Sequence, residues 1–288
     1  MKDFSCEIDR EHRLVMFRVT KTKITAVPLN RHDDLVHAFT TRHVSADDLK
    51  RTLLKPAGLR PIFLRQVHSD AVRAVDDVPA AACSGDALIT RQPGLALVIK
   101  TADCVPVLLF DPVSRSIAAV HAGWRGTLRR IAQKTAGALR AHYGADPARM
   151  VAVLGPAIGP CCYEVGEEVI EHYRSQFPWA GQVLVRHQPE NPADILLPRQ
   201  LMLERKAFMR TLATTKAHLD LPGANRRQLL EAGLNAKNII AGAPCTACRT
   251  DLLYSYRREG PRAGRLYAVI GLRPEKRRSR RRAPTARV

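Results

Sequence analysis

Short apolar runs recur along the chain from Leu35 onward, and several are continuously apolar for four to six residues. Runs of this length without polar alternation are typical of strands buried on both faces. Turn residues such as Pro93-Gly94 and Asp111-Pro112 separate them. The predicted strands are VHAFTT, PIFLRQV, AVRAV, DALIT, ALVIKTAD, PVLLFD, SIAAVHA and MVAVLGPA.

The apolar period becomes helical after Gly123. Apolar residues between 128 and 143 recur at helical spacing, and Gly144 is suited to ending a helix. Further helices are predicted over 165–173, 200–212 and 225–232, with Asn225, Arg226 and Arg227 as the solvated start of the last. Strands resume at 238–240 and 266–272. Strands with helices concentrated in the second half predict an α+β layered domain.

Composition and charge add a basic tail to this picture. The 288 residues are 45% hydrophobic and 25% charged, which is typical of a folded protein, and the formal charge is +19. Residues 273–288 hold eight basic side chains against Glu275, so +7 lies there and +12 elsewhere. We expect this tail to be disordered and to support only weak, non-specific nucleic-acid binding.

The sequence favours a cytoplasmic protein without a membrane span. Its most apolar stretch, 95–110, contains Lys100 and Asp103, whereas a span needs about 20 nearly uninterrupted apolar residues. The first residues are too charged for a signal peptide. Seven cysteines are too few, and odd in number, for a disulfide framework.

Three side chains that can bind metal stand at the ends of apolar strands: His68, Cys104 and His121. Rigid strand ends can direct side chains into a cleft. Two histidines and one cysteine suit Zn²⁺, and three protein ligands leave the fourth tetrahedral position open. From the residues alone, an ordinary hydrogen-bonded side chain near a strand edge is the commoner role for each histidine.

The segment AGWRGT, next to His121, forms a glycine-rich turn from a strand into a helix. Free amides at a helix start attract anions, and Arg125 adds a fixed charge. Alternatively, the glycines serve only the turn. Asp70, Asp86 and Asp103 lie on the same predicted edge, where a carboxylate could transfer a proton or orient a histidine ligand.

Seven motifs, taken in order, resemble the YfiH-like laccase-domain family, whose members are also labelled polyphenol oxidase and purine nucleoside phosphorylase. The resemblance extends from about His37 to Leu272. The motifs are RQVHSD, GDALIT, TADCVPVLLFDP, AAVHAGWRGT, GPAIGPCCYEVG, LDLPGANRRQLLEAG and CTAC…YSYRREG…GR. Residues 41–60 depart from the family pattern, since they lack its paired glycines.

The resemblance implies one α/β/β/α sandwich of the YfiH-like type, a fold similar to cysteine hydrolases of the CNF-like type. Residues 31–272 would form the catalytic domain, 1–30 an N-terminal extension and 273–288 the basic tail. The implied activity is zinc-dependent phosphorolysis of adenosine, inosine, guanosine and methylthioadenosine, with adenosine deamination as a side activity. Purine nucleosides and phosphate are therefore the expected partners.

The resemblance also assigns site residues. His68, Cys104 and His121 would bind the zinc and take part in catalysis, together with Asp103. Substrate and phosphate would contact four further residues: Arg65, Asp86, Arg125 and Gly126.

Two alternative activities use the same three ligands. The older family label and a His₂Cys site are compatible with a copper-dependent polyphenol oxidase. Cys104 paired with a histidine could instead act as the nucleophile of an amide hydrolase. Cys161-Cys162 and Cys245-x-x-Cys248 could bind a second, structural zinc, but only one paired metal-binding knuckle is present. They are therefore interpreted as reduced buried thiols.

Overall fold

The computed structural model describes residues 16–79, 81, 83–186 and 217–274. Two six-stranded mixed sheets dominate it. The first has the order β1-β2-β3-β15-β7-β4. Its strands are β1 (Phe17–Val19), β2 (Lys23–Ala26), β3 (Leu35–Thr40), β4 (Arg60–Phe63), β7 (Leu95–Thr101) and β15 (Leu266–Leu272).

The second sheet has the order β14-β10-β8-β9-β6-β5, and its centre is the antiparallel pair β8 and β9. The strands are β5 (Val72–Ala74), β6 (Ala87–Thr90), β8 (Val105–Asp111), β9 (Ser116–Ala122), β10 (Val151–Leu154) and β14 (Ile239–Ile240). A small third sheet contains β11 (Glu164–Val165), β13 (Ala217–Leu219) and β12 (Leu184–Arg186), in that order.

Strand β8 shows why the apolar runs are continuous. Leu108 and Phe110 pack between the two large sheets, whereas Val107 and Leu109 face the helices on the far side of the second sheet. Successive side chains of a strand point to opposite faces, so a strand buried on both faces needs apolar residues throughout. All seven residues of β8 are buried.

Helices cover the outer faces of both large sheets. Leu49 and Leu54, from α1 (Ala46–Leu49) and the π-turn after it, pack on the first sheet. The second sheet is covered by α3 (Ile131–Tyr143), α4 (Glu167–Gln176) and α6 (Leu221–Glu231). Shorter helices are α2 (Trp124–Leu128), α5 (Ala180–Val183) and α7 (Tyr256–Glu259). The α+β, α/β/β/α layering expected from the sequence is confirmed.

Helix ends differ in part from the prediction. Gly144 ends α3 with a positive φ of 67°, as expected. The predicted helix 165–173 begins too early, because Val165 pairs in β11 and Gly166 caps α4. The predicted helix 200–212 and the basic tail beyond Pro274 lie outside the described residues.

The interpretation of Asn225 as part of a solvated helix start is wrong. α6 begins at Leu221, where the side chain of Asp220 accepts a hydrogen bond from the Gly223 amide. Asn225 is therefore inside the helix and fully buried. Its Nδ2 donates to Oγ1 of Thr127 at 2.9 Å, which joins α6 to α2.

Two segments outside the expected common core also belong to the layers. Strand β2 lies within the predicted N-terminal extension, yet it pairs with β3 and adds to the first sheet. The departing segment 41–60 forms α1 and the π-turn on the outer face of that sheet. Among the described residues, no helix is both long and apolar enough to cross a bilayer.

Candidate active site

His68, Cys104 and His121 meet at one end of the β8–β9 pair. Their potential ligand atoms all lie within 4.8 Å of one another. Cys104 directly precedes β8, and His121 lies near the end of β9, where its Cα is opposite that of Pro106. The strand pairing thus brings together two ligands that are distant in sequence, and His68 reaches them from the loop after β4.

Asp86, at the start of β6, shapes the loop that carries His68. Its carboxylate accepts hydrogen bonds from the backbone amides of Val67, His68 and Ser69 at 3.3, 3.1 and 2.6 Å. His68 has a φ of 56°, in the left-handed region that non-glycine residues rarely adopt. Three hydrogen bonds from backbone amides to one fixed carboxylate offset the energetic cost of that conformation.

The same carboxylate orients His121. Nδ1 of His121 donates to Oδ1 of Asp86 at 2.8 Å, and both side chains are buried. This bond leaves Nε2 of His121 available as a ligand atom. Burial alone would raise the pKa of Asp86, but hydrogen bonds from His121 and Ser69 outweigh it and lower that pKa below its usual range.

The Cys104 thiol is activated by its neighbours. Burial by itself raises the pKa of Cys104, but the charge of His121 and hydrogen bonds from both histidines outweigh burial and lower it. Conversely, burial lowers the pKa of His121, while Cys104 and Asp86 raise it above its usual value. Cys104 is thus held as a thiolate, the form in which cysteine binds metals and attacks electrophiles.

Glycines of the AGWRGT turn lie against the ligands. A Cβ on Gly123 would lie 3.0 Å from Sγ of Cys104 and 3.1 Å from Cδ2 of His68. A Cβ on Gly126 would lie 3.1 Å from the carbonyl oxygen of Ser69. A side chain at either position would crowd the ligand loop, which packs closely on the turn.

The three candidate ligands open into a cavity of about 550 Å³. Its described cationic lining residues are Arg65, Lys100, Arg257 and Arg265. Tyr163 and Tyr256 supply aromatic surface at the same wall. The cavity therefore combines a possible metal, positive charge and aromatic faces, which suits an anion together with a planar ring.

Asp103 lines the cavity beside Cys104 and has an unusual backbone φ of 91°. Its two carboxylate oxygens accept hydrogen bonds from Oγ1 of Thr246 and the backbone amide of Arg257, both at 2.6 Å. These donors come from the segment after β14, far away in sequence. They fix the carboxylate at the cavity wall.

The four residues that were expected to contact substrate or phosphate lie in different environments. Arg65 lines the cavity and donates to Oγ of Ser84 at 2.9 and 2.7 Å. Asp86 is fully buried and holds the ligands, so its assignment to substrate contact is corrected to a positioning role. Gly126 is buried under the Ser69 carbonyl and gives the ligand loop its clearance.

Arg125 is the largest departure from the predicted anion site. It is exposed, its guanidinium stacks 4.2 Å from the Trp124 ring centroid, and it is not among the cavity-lining cations. The helix that contains it, α2, begins at Trp124 and has only five residues, which gives little accumulated dipole. Sequence reasoning assigned neither Lys100 nor Arg265 to the site, although both line the cavity.

The donor chemistry of the cluster fits a metal. One thiolate and two imidazoles suit Zn²⁺ and also copper, and a carboxylate behind a histidine ligand is the usual support of such sites. Apart from a group of four cysteines, this is the metal-capable group found among the described residues. The interpretation of those cysteines as buried thiols is wrong for Cys161 and Cys248, which are exposed.

The sequence matches the family described as multi-copper polyphenol oxidoreductase laccase over residues 42–273. A curated relative, adenosine deaminase RL5 from an unknown prokaryotic organism, is 36% identical over 218 residues, or 73% of this chain and 74% of the relative. A purine nucleoside phosphorylase from Deinococcus radiodurans is 39% identical over 210 residues, or 73% of this chain and 69% of the relative.

Solved structures agree with these matches. The hypothetical protein YfiH of Bacillus licheniformis superimposes with a TM-score of 0.73 at 25% sequence identity. The superposition covers 89% of this chain and 98% of the YfiH chain. YlmD from Geobacillus stearothermophilus has a TM-score of 0.71 at 28% identity, with 90% and 99% covered. Since the family match spans most of the sequence, the chain belongs to the multi-copper polyphenol oxidoreductase laccase family, the YfiH-like family that its motifs indicate.

Proposed function

We propose that this chain is a zinc-dependent purine nucleoside phosphorylase with adenosine deamination as a side activity. The observation that carries the proposal is the three-donor cluster of His68, Cys104 and His121 in the wall of a basic cavity. Relatives named purine nucleoside phosphorylase and adenosine deaminase support the substrate class. Adenosine, inosine, guanosine and methylthioadenosine are the proposed substrates.

The cavity has room for a nucleoside and phosphate together, since about 550 Å³ is within the range of small-molecule sites. Lys100, Arg257 and Arg265 would bind phosphate, with Arg65 at the edge. Tyr163, over whose ring Arg257 lies at 5.2 Å, and the exposed Tyr256 would pack against the purine.

In phosphorolysis, a phosphate oxygen forms a bond to C1′ of the sugar while the bond from C1′ to the base nitrogen breaks. The base departs with the electron pair and takes up a proton. The cationic side chains offset the phosphate charge and hold it against C1′. Zinc, held by His68, Cys104 and His121, would supply a Lewis acid beside the reacting groups.

In deamination, water adds to C6 of adenine, and the amino group leaves as ammonia after it gains a proton. Asp103 is the carboxylate at the cavity wall that can transfer this proton, and Thr246 and the Arg257 amide orient it. Deamination consumes no phosphate, so the two reactions can be separated by leaving phosphate out.

The test is to incubate the purified full-length chain with adenosine, with and without phosphate, and to identify the products. Adenine and ribose 1-phosphate that form only with phosphate are expected, along with slower phosphate-independent inosine. His68→Ala should abolish both, while His142→Ala, at an exposed histidine of α3, should change neither. Full turnover by His68→Ala would refute the proposal.

Metal analysis tests copper oxidation, the activity in the family description. Within the described part of the chain, a single metal-capable group contains histidine, whereas multicopper chemistry needs several. We therefore expect zinc and no copper in protein purified without added metal. Stoichiometric copper with oxidation of phenols would favour the oxidase.

A cysteine hydrolase is the second candidate function, because Cys104 is held as a thiolate beside a charged His121. Metal binding would quench this nucleophile. Alkylation of Cys104 should therefore be slow in zinc-saturated protein and fast after the zinc is removed. Fast alkylation in both forms would favour the hydrolase.

A further inference from the structure

Four cysteines, from two segments far apart in sequence, form a cluster outside the candidate active site. Their sulfur atoms all lie within 4.8 Å of one another, and Sγ of Cys248 is 3.5 Å from Sγ of both Cys161 and Cys162. We refer to Cys161, Cys162, Cys245 and Cys248 as the tetracysteine cluster. In a tetrahedral site with Zn–S bonds of about 2.3 Å, the sulfurs lie about 3.8 Å apart.

Two hydrogen-bond donors face sulfur atoms of the tetracysteine cluster. The backbone amide of Gly159 donates to Sγ of Cys245 at 3.2 Å, and Nη2 of Arg258 lies 3.8 Å from Sγ of Cys162. Both donors offset negative charge on sulfur. A Cβ on Gly159 would lie 3.3 Å from Sγ of Cys161, so the turn packs directly against the cluster.

We propose that the tetracysteine cluster binds a structural zinc ion, separate from the metal held by His68, Cys104 and His121. Four thiolates close the coordination sphere, which leaves no position for substrate and makes the site structural. Cys245-x-x-Cys248 is the paired knuckle, and the adjacent Cys161-Cys162 pair completes the set in place of a second knuckle.

The position of the cluster gives this zinc a role at the cavity wall. Thr246, between the two knuckle cysteines, donates to Oδ1 of Asp103, and the amide of Ile158 donates to the Asp103 carbonyl oxygen at 2.9 Å. Zinc would join the two segments that carry these donors. It would thereby fix the backbone of Asp103, the residue before Cys104.

A disulfide is the competing fate of the same sulfurs, because any two of these thiols could be oxidised with the loss of two electrons and two protons. The two fates differ in mass, since each disulfide removes two hydrogens from the chain, whereas zinc is released on denaturation. Thiol titration of the denatured protein distinguishes them further, because zinc thiolates are recovered as free thiols.

The experiment measures zinc per chain in full-length protein purified without chelator. Wild type and Cys83→Ser, which changes a cysteine outside both groups, should each contain two zinc ions. His68→Ala and the double variant Cys245→Ser/Cys248→Ser should each contain one. X-ray absorption of the zinc in His68→Ala should give a shell of sulfur only.

The His68→Ala measurement keeps the test decisive even if the double cysteine variant fails to fold. A sulfur-only zinc shell there supports the tetracysteine site whatever the activity of the wild type. Absence of zinc from His68→Ala, a shell containing nitrogen, or a mass lower by two hydrogens with fewer titratable thiols would overturn the proposal. These outcomes do not depend on nucleoside turnover, which tests the proposed function separately.

Discussion

Oδ1 of Asp86 accepts a hydrogen bond from Nδ1 of His121 at 2.8 Å. The same carboxylate accepts hydrogen bonds from the backbone amides of the loop that carries His68. One fully buried side chain therefore positions two of the three candidate ligands. It needs no contact with substrate to affect catalysis, because a displaced histidine changes the whole site.

Asp86→Asn should weaken metal binding by about 10- to 100-fold, because the side-chain nitrogen of asparagine cannot accept hydrogen bonds and at least two of the present donors lose their acceptor. Competition against a chromogenic chelator measures this. Asp70→Asn is the matched control, since Asp70 is in the same loop but pairs with Lys134 at the surface. Unchanged metal affinity in Asp86→Asn would contradict the positioning role.

Gly123→Ala should also weaken metal binding and lower turnover, because its Cβ would push Cys104 or His68 from place. The φ of Gly123 is −75°, so the backbone itself would accept alanine and the effect would be one of space. Gly137→Ala, inside α3 with no atom within 4 Å of the new Cβ, should bind metal normally and be more stable by about 0.5–1 kcal/mol. Equal metal affinities for the two variants would show that the turn tolerates a side chain.

Asp103→Asn should lower deamination by about 10²- to 10⁴-fold if its carboxylate transfers the proton. Zinc content should remain that of wild type, since Asp103 is not one of the three ligands. Thr246→Val removes only the donor to Oδ1 and should cause a smaller loss. Single-turnover rates of inosine formation, measured beside zinc content, would separate the two variants. If Asp103→Asn forms inosine at the wild-type rate, a group other than Asp103 transfers the proton.

His37 should make the fold sensitive to acid. Burial is the main cause that lowers the pKa of His37 to about 4, and protonation would also break the 2.8 Å hydrogen bond that its Nε2 accepts from the Ala26 amide. The unfolded chain takes up a proton near the ordinary value of 6.5, but the folded chain does not until about pH 4. Stability is therefore full above pH 6.5 and falls between pH 6.5 and 4, by about 3 kcal/mol from this residue.

His37→Gln keeps an acceptor for Ala26 but cannot be protonated in this range. Urea unfolding between pH 7 and 4 should give a smaller loss of stability for this variant than for wild type. His142→Gln, at an exposed histidine, should show the same dependence of unfolding free energy on pH as wild type. If the unfolding free energies of wild type and His37→Gln depend on pH in the same way, the role of His37 is refuted.

The layers of this fold could be predicted from sequence because strands buried on both faces have a strong local signal. Seven consecutive buried residues in each of β8 and β9 leave few other structures for those runs. Helix starts were harder, because Asp220 caps α6 five residues before the predicted start at Asn225, and tertiary packing then buries Asn225. Local pattern does not reveal which polar residue will meet a partner such as Thr127.

At the site, sequence reasoning brought together the three candidate ligands but not their surroundings. His68, Cys104 and His121 stand at strand ends, which is a local property, and the motifs mark them. Arg257 and Thr246 come to Asp103 from the other end of the chain, so only the topology could place them there. The same reason hid the tetracysteine cluster, whose two halves are over 80 residues apart.

The pairing of β8 with β9 sets where length changes can be tolerated. Residues added to the turn 112–115 leave the partnership of Pro106 and His121 intact, because the ladder beyond the turn keeps its register. One residue deleted inside β9 would instead turn every following side chain to the opposite face, His121 among them. The register of the hairpin thus sets the position of His121 relative to Cys104. This position does not depend on the length of the turn, but it changes when one residue is inserted into or deleted from either strand.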